Sequence, residues 1–274
     1  MKTTWILGAL LIGTLLVMPD VQAQRTASLV PILDKDGMII GASRGSKWIS
    51  AEKMHSQVKA GAKFRLYTLK GYVRTSVGGK VELSEASGQA YYIRFPETRQ
   101  TENEETIAVG GTWNPMPRLT RTESAGQAVY LDAVASVLKS KGLAGVKPNI
   151  TKILRVDLFG KGQDAVLIEA ASPNYKLSSG FENDPAVVNT YSCVILRMVV
   201  GGKLTTKVLG GAFYKKNGDK GPVEKYDIEN VLDLNGDGVM EIVIDSHYYE
   251  GGGSAVFEVK SGAPVKVLEA ADGA

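Results

Sequence analysis

The chain has a single cysteine, Cys193, so no disulfide can close within it. Histidine is almost as scarce: His55 and His247 have no cysteine nearby, which argues against zinc held by His/Cys ligands. The formal net charge is only +3, too mild for the basic stripe that marks a nucleic-acid partner. Beyond residue 18 no apolar run approaches the roughly 18 to 20 residues that span a bilayer, so no membrane span is expected after the N-terminal segment. The triple glycine at 251–253 lacks the Gly-Lys-Ser/Thr of a phosphate loop, and no serine nucleophile elbow is expected. Cys193 lies in an apolar run and reads as a buried, inert thiol. A carboxylate pair for polymer hydrolysis leaves no local signature and stays open. Trp48 and Trp113 suit sugar stacking or core packing.

What is present begins with an export signal. Lys2 precedes an apolar run from Trp5 to Met18, Pro19 and Asp20 break it, and Val21-Gln22-Ala23 sets small residues at a cleavage site. Residues 1–23 therefore read as a signal peptide, and a secreted or periplasmic location follows. Residues 24–118 form an N-terminal β-rich region. Leu29–Leu33 and Met38–Ala42 flank the turn Asp34-Lys35-Asp36-Gly37, and Phe64–Leu69 alternates as a half-buried strand does. Tyr72–Val77 and Lys80–Leu83 suggest a hairpin about Gly78-Gly79, Gln89–Phe95 a further strand, and Ser50–Val58 a turn or two of helix. Pro115 and Pro117 mark a boundary. Residues 119–274 open with a helix over about 125–141, capped by Ser124, with Tyr130, Val134, Val137 and Leu138 on one face and Gly142 as its stop.

After the helix the chain repeats. An Asp-Leu-x-Gly-x-Gly frame occurs at Asp157 and again at Asp233, each leading into an apolar strand and later a strand pair. The pairs are Cys193–Val200 with Leu204–Leu209, and Ala255–Lys260 with Val265–Leu268. The expected fold class is mainly β: repeated antiparallel, blade-like sheets, as part of a β-propeller or as an open β assembly, with one clear helix. The first copy also carries a long polar connection from Ser172 to Thr190.

The second frame is chemically legible. Asp233, Asn235 and Asp237 offer side-chain oxygens at alternate positions, Val239 a carbonyl and Glu241 a further carboxylate, with Gly236 and Gly238 permitting a tight path. All-oxygen donors suit a hard cation, Ca2+ in particular. The loop is not an EF-hand, because Ile244 stands where the closing glutamate would fall. In the first copy Phe159, Lys161 and Ala165 replace Asn235, Asp237 and Glu241, so that loop is expected to keep its turn and lose the ion. A second candidate is a ligand-binding loop over His247, Tyr248, Tyr249 and Glu250, set beside the triple glycine.

The stretch Asp233-Leu-Asn-Gly-Asp-Gly-Val-Met-Glu-Ile-Val-Ile244 resembles FG-GAP or VCBS-type repeats, over residues of about 150 to 270. The resemblance implies blade-like sheets, extracytoplasmic calcium and interaction or adhesion roles. The expected function is an exported, calcium-stabilised binding protein whose partner is a protein or an envelope or polysaccharide ligand. A hydrolase using the repeats as scaffold, and a purely structural repeat protein, are the alternatives.

Overall fold

A computed structural model describes residues 28–96, 106–173, 188–215 and 223–273. The signal peptide at 1–23 and most of the Ser172–Thr190 connection lie outside the described residues.

The architecture is mainly β, with antiparallel sheets that do not close into a barrel. The N-terminal sheet contains β1 (Val30–Leu33), β2 (Ile39–Arg44), β3 (Lys47–Ser50), β4 (Lys63–Thr68), β5 (Gly71–Val77) and β8 (Ile107–Val109), in the order β3-β2-β1-β8-β4-β5. A short helix α1 (Ala51–Met54) covers one end, and β6 (Val81–Leu83) pairs with β7 (Tyr91–Ile93) as a separate ribbon.

Gly78-Gly79 is therefore not a hairpin turn. The Gly78 amide continues the β4–β5 ladder by bonding Ala62 O at 2.9 Å, while the Gly79 amide bonds Arg94 O at 2.9 Å beside β7. The pair is a crossover between two sheets, pressed so closely on the core that a Cβ on Gly78 would stand 2.7 Å from Ile93.

The repeat is two antiparallel meanders of four strands. The first contains β10 (Ile150–Val156), β11 (Ala165–Ala171), β12 (Thr190–Val200) and β13 (Lys203–Tyr214), with β9 (Arg121–Thr122) added at its edge. The second contains β14 (Lys225–Leu232), β15 (Glu241–Tyr248), β16 (Gly251–Lys260) and β17 (Ala263–Gly273). Both outer hairpins turn where the sequence suggested, at Gly201-Gly202 and Ser261-Gly262, and all four turn residues have positive φ as a two-residue hairpin requires.

The second meander is the central layer. Ile242 and Ile244 on one face of β15 join Leu154, Leu167 and Leu196 of the first meander. Val243 on the opposite face joins Ile32, Ile40, Tyr67 and Ile107 of the N-terminal sheet. This is the period-two alternation of a strand buried on both sides. The first meander's outer face, with Ile153, Ile168 and Ile195, is covered by helix α2 (Ala128–Ser140).

Helix α2 starts later than Ser124. Gln127 occupies the N-cap position, without a side-chain cap bond. The cause is local: the Glu123 amide bonds Ile153 O at 3.0 Å, which keeps residues up to 123 extended along β10.

Candidate metal centre

The Asp233 loop joins β14 to β15 and folds around its own side chains. Asp233 Oδ1 accepts from the Gly236 amide at 2.7 Å and Oδ2 from the Gly238 amide at 3.0 Å. Asn235 Oδ1 accepts from the Asp237 amide (2.9 Å), and Asp237 Oδ1 from the Val239 amide (2.8 Å). Gly236 and Gly238 hold φ of 80° and 85°, a conformation that penalises any side chain. Asp233 and Asn235 are buried, while Asp237 is exposed.

The first-copy loop has the same frame. Asp157 accepts from the amides of Phe159, Lys161 and Gly162, and Gly160 and Gly162 take positive φ. Burial alone would raise the Asp157 carboxyl, and the surrounding amides reverse that and hold it below the usual range. One aspartate is enough to shape the turn, so turn formation does not account for Asn235, Asp237 and Glu241.

Glu241 separates the two copies. It is fully buried, its Oε2 accepts from the Leu234 amide at 2.7 Å, and its Oε1 has no hydrogen-bond partner. Burial pushes its pKa up to about 9, and the negative charges of Asp237, Asp233 and Glu258 add to the shift. Asp233 is raised too, chiefly by burial, although the Gly238 and Gly236 amides oppose it. A buried carboxylate with an orphaned oxygen, in a field of like charge, lacks a cation or keeps a proton. Each carboxylate has about four lone-pair sites, so oxygens that accept one amide bond retain capacity for an ion. The residues therefore fit a hard cation: Asp233, Asn235, Asp237 and Glu241 would hold it, and it would supply the positive charge that Glu241 lacks.

Three residues around the loop were not legible as site residues. Trp113 packs its ring over Gly236 and donates Nε1 to Asp233 O at 2.8 Å, so it buttresses the loop rather than a sugar site. The Asp233 amide bonds Pro115 O at 2.7 Å. Arg118 donates to Asp157 O and Leu158 O in the first loop and to Gly238 O in the second. The proline-marked segment 112–121 is a strap across both loops. In the sequence its prolines suggest a boundary and Trp113 a sugar or core contact, and neither points to the loops.

Compared with known protein families, curated proteins and solved structures, the chain returns no match.

The second candidate is not a wide loop. His247 and Tyr248 belong to β15, Tyr248 pairs with Gly251, and only Tyr249 and Glu250 form the turn. The glycines are strand residues, because a Cβ on Gly251 would meet Asp272 O at 2.3 Å and one on Gly253 would meet Ala270 O at 2.6 Å. His247 Nδ1 lies 3.0 Å from Asp245 and 3.6 Å from Asp227, both buried. Lys35 bonds Asp245 at 2.8 Å and Lys225 bonds Asp227 at 2.7 Å, so these carboxylates already have cationic partners.

The chain also spells Gly-x-Ser-x-Gly once, at Gly41-Ala42-Ser43-Arg44-Gly45, against the expectation that no elbow occurs. Ser43 is fully buried inside β2 and donates its Oγ to Leu234 O at 2.8 Å, so it is no nucleophile. Trp48 donates to Glu258 at 2.9 Å and packs on the core between the N-terminal and central sheets.

Proposed function

We propose that this chain is an exported binding protein whose central sheet is stabilised by calcium at Asp233, Asn235, Asp237 and Glu241. The observation that carries the reading is Glu241, fully buried with an unpartnered oxygen and raised by the carboxylates of Asp237, Asp233 and Glu258. The first-copy loop supports it, since the same turn stands there without the other ligands. Two stacked four-stranded meanders agree with the FG-GAP or VCBS resemblance, and the binding role follows that likeness.

Extracellular calcium modules typically bind with Kd of about 0.1 to 1 mM. At about 1 mM calcium and a Kd near 0.1 mM, occupancy adds roughly 1.4 kcal/mol. For a chain of this size that corresponds to about 3–6 °C in Tm. Thermal melts of wild type and Asp237→Ala, in chelator and in millimolar calcium, test the reading. Wild type should shift and the variant should not. An unchanged wild-type Tm would remove calcium from the account.

A further inference from the structure

Strand direction puts four turns at one end of the sheet stack. The 157–164 and 233–240 loops lie there with the two hairpin tips, Gly201-Gly202 and Ser261-Gly262. Contacts join them: the Met240 amide bonds Leu158 O at 2.9 Å, and a Cβ on Gly262 would stand 2.3 Å from Val200. The 112–121 strap crosses the same end, where Arg118 reaches both loops.

This end exposes apolar side chains outside any core. Leu204 on one tip is 59% exposed and Leu119 of the strap 60%, and Val199 and Val265 on the tips are exposed as well. Val199 and Leu204 face each other across their hairpin, so they form a joint patch instead of scattered single residues. Each segment sets a basic residue beside its apolar one: Arg118-Leu119, Lys203-Leu204 and Val265-Lys266.

The end is also positively charged. Arg118 bonds carbonyls, Lys161 lies over the Phe159 ring and Lys203 is exposed at its tip, and among the described residues none of the three has a carboxylate partner. Lys260 and Lys266 are offset by Glu258 and Glu269. Asp237 is the exposed carboxylate of the four turns. At the far end of the stack the sign reverses, with Asp34, Asp36, Asp245, Glu250 and Asp272 around Lys35 and His247. A basic, apolar-tipped end opposite an acidic one orients the molecule toward an anionic surface.

The form of the patch selects the partner. A protein interface of standard size needs about 800 Å² of matched surface on each side. Here the apolar groups stand on separate turns, each beside a basic group. A lipid surface is soft and admits separate protrusions, and lysine stems can lie along apolar groups while their ammonium heads meet phosphates. Two-residue turns suit that depth because their backbone groups are paired within the hairpin.

We infer that this end docks on the surface of an anionic lipid bilayer, with Leu204, Val199 and Val265 entering the headgroup layer and Lys161 and Lys203 meeting lipid phosphates. The inference gives the proposed binding role a partner and rests on that role, but it does not depend on calcium.

Flotation of residues 24–274, the chain left after signal cleavage, with lipid vesicles tests it; the apolar run at 5–18 would bind lipid by itself. Vesicles of phosphatidylcholine and phosphatidylglycerol in equal parts, in chelator at physiological salt, should bind the protein saturably. Vesicles of phosphatidylcholine alone should bind about tenfold or more weaker. Lys161→Glu and Lys203→Glu should each weaken binding about fivefold or more, as expected for one lysine near such a surface. Leu204→Asp should weaken it about tenfold or more. Leu83→Asp, exposed on β6 away from this end, should leave it unchanged. All four positions are exposed, so an unchanged Tm should show that the variants fold. Chelator excludes calcium bridges to lipid, and the calcium shift is read from melts without lipid, so the two readings fail separately. Equal binding to neutral and anionic vesicles, or wild-type binding by Leu204→Asp and both lysine variants, would overturn the inference. So would a wild-type dimer that Leu204→Asp splits, with no vesicle binding, because the tips would then meet a second copy.

Discussion

Replacing Glu241 by glutamine probes the candidate metal centre through pH. Without metal, the folded protein holds a proton on Glu241 up to about pH 9, whereas in the unfolded chain the group titrates near its ordinary value of 4.5. Between those values the folded state binds more protons than the unfolded state, so stability falls as pH rises. At about 1.36 kcal/mol per unit, this group alone costs about 3 kcal/mol by pH 7 and under 1 kcal/mol at pH 5. Glutamine keeps the acceptor for the Leu234 amide and has nothing to ionise. In chelator, Glu241→Gln should match wild type near pH 5 and exceed it by about 3 kcal/mol at pH 7, roughly 6–12 °C in Tm. If calcium occupies the loop, it would replace the proton in wild type and should recover part of the loss, while the variant should not respond. Urea denaturation from pH 5 to 7.5, with chelator or calcium, measures both effects. Asp34 titrates in the same direction, so the difference between the two proteins isolates Glu241. A flat difference across that range, or a full calcium response in the variant, would refute the reasoning.

Three further outcomes follow from other parts of the molecule. Arg118→Ala removes donors to three carbonyls in two loops and should cost about 2–3 kcal/mol in chemical denaturation, discounted for partial exposure. Arg118→Lys should restore only part of it, because an ammonium lacks the planar fork. Gly37→Ala meets a φ of 84° and places a Cβ 2.4 Å from Ile93 O, so a loss of about 1–3 kcal/mol is expected, read as a lower urea midpoint. Cys193 is fully buried, and burial pushes its thiol up to about 12, so a disulfide reagent at pH 8 should react at the rate of unfolding and be accelerated by urea.

The fold was largely legible where the signal is local. The Asp157 and Asp233 frames, the turns at Gly201-Gly202 and Ser261-Gly262, and the α2 residues Tyr130, Val134, Val137 and Leu138 stand where periodicity and turn chemistry put them. What escaped depends on contacts between distant segments. The Gly78-Gly79 pair looks like a hairpin because two glycines between apolar runs favour one, and only the packing of Ile93 and Phe64 shows it as a crossover. Gly251–Gly253 looks flexible as a string, but a Cβ on Gly251 or Gly253 would run into β17 and one on Gly252 into Ser246 and His247 of β15. Trp113 and Arg118 carry no motif; each contacts Asp233 or Gly238 from 120 positions away. Asp34 and Asp272 come from opposite ends of the chain to one groove, a meeting set by the stack of sheets.

The position of the Asp233 loop determines what an ion there stabilises. Ser43 of the N-terminal sheet bonds Leu234 O, and Trp113 and Pro115 of the strap bond the backbone of Asp233. Leu158 of the first-copy loop accepts from the Met240 amide at 2.9 Å, and Arg118 spans both loops. The loop is therefore the joint at which all three large sheets and the connecting strap meet. An ion that rigidifies a peripheral turn protects only that turn, since local opening and global unfolding are separable. At this joint, loosening the loop removes anchors from both faces of the central sheet, whose strands supply residues to the two largest shared cores. Calcium-linked stabilisation should accordingly appear in the global transition. In hydrogen exchange it would protect amides of β15 and of β2 together, and protection confined to residues 233–241 would mean that the loop is a local clasp and not the joint of the stack.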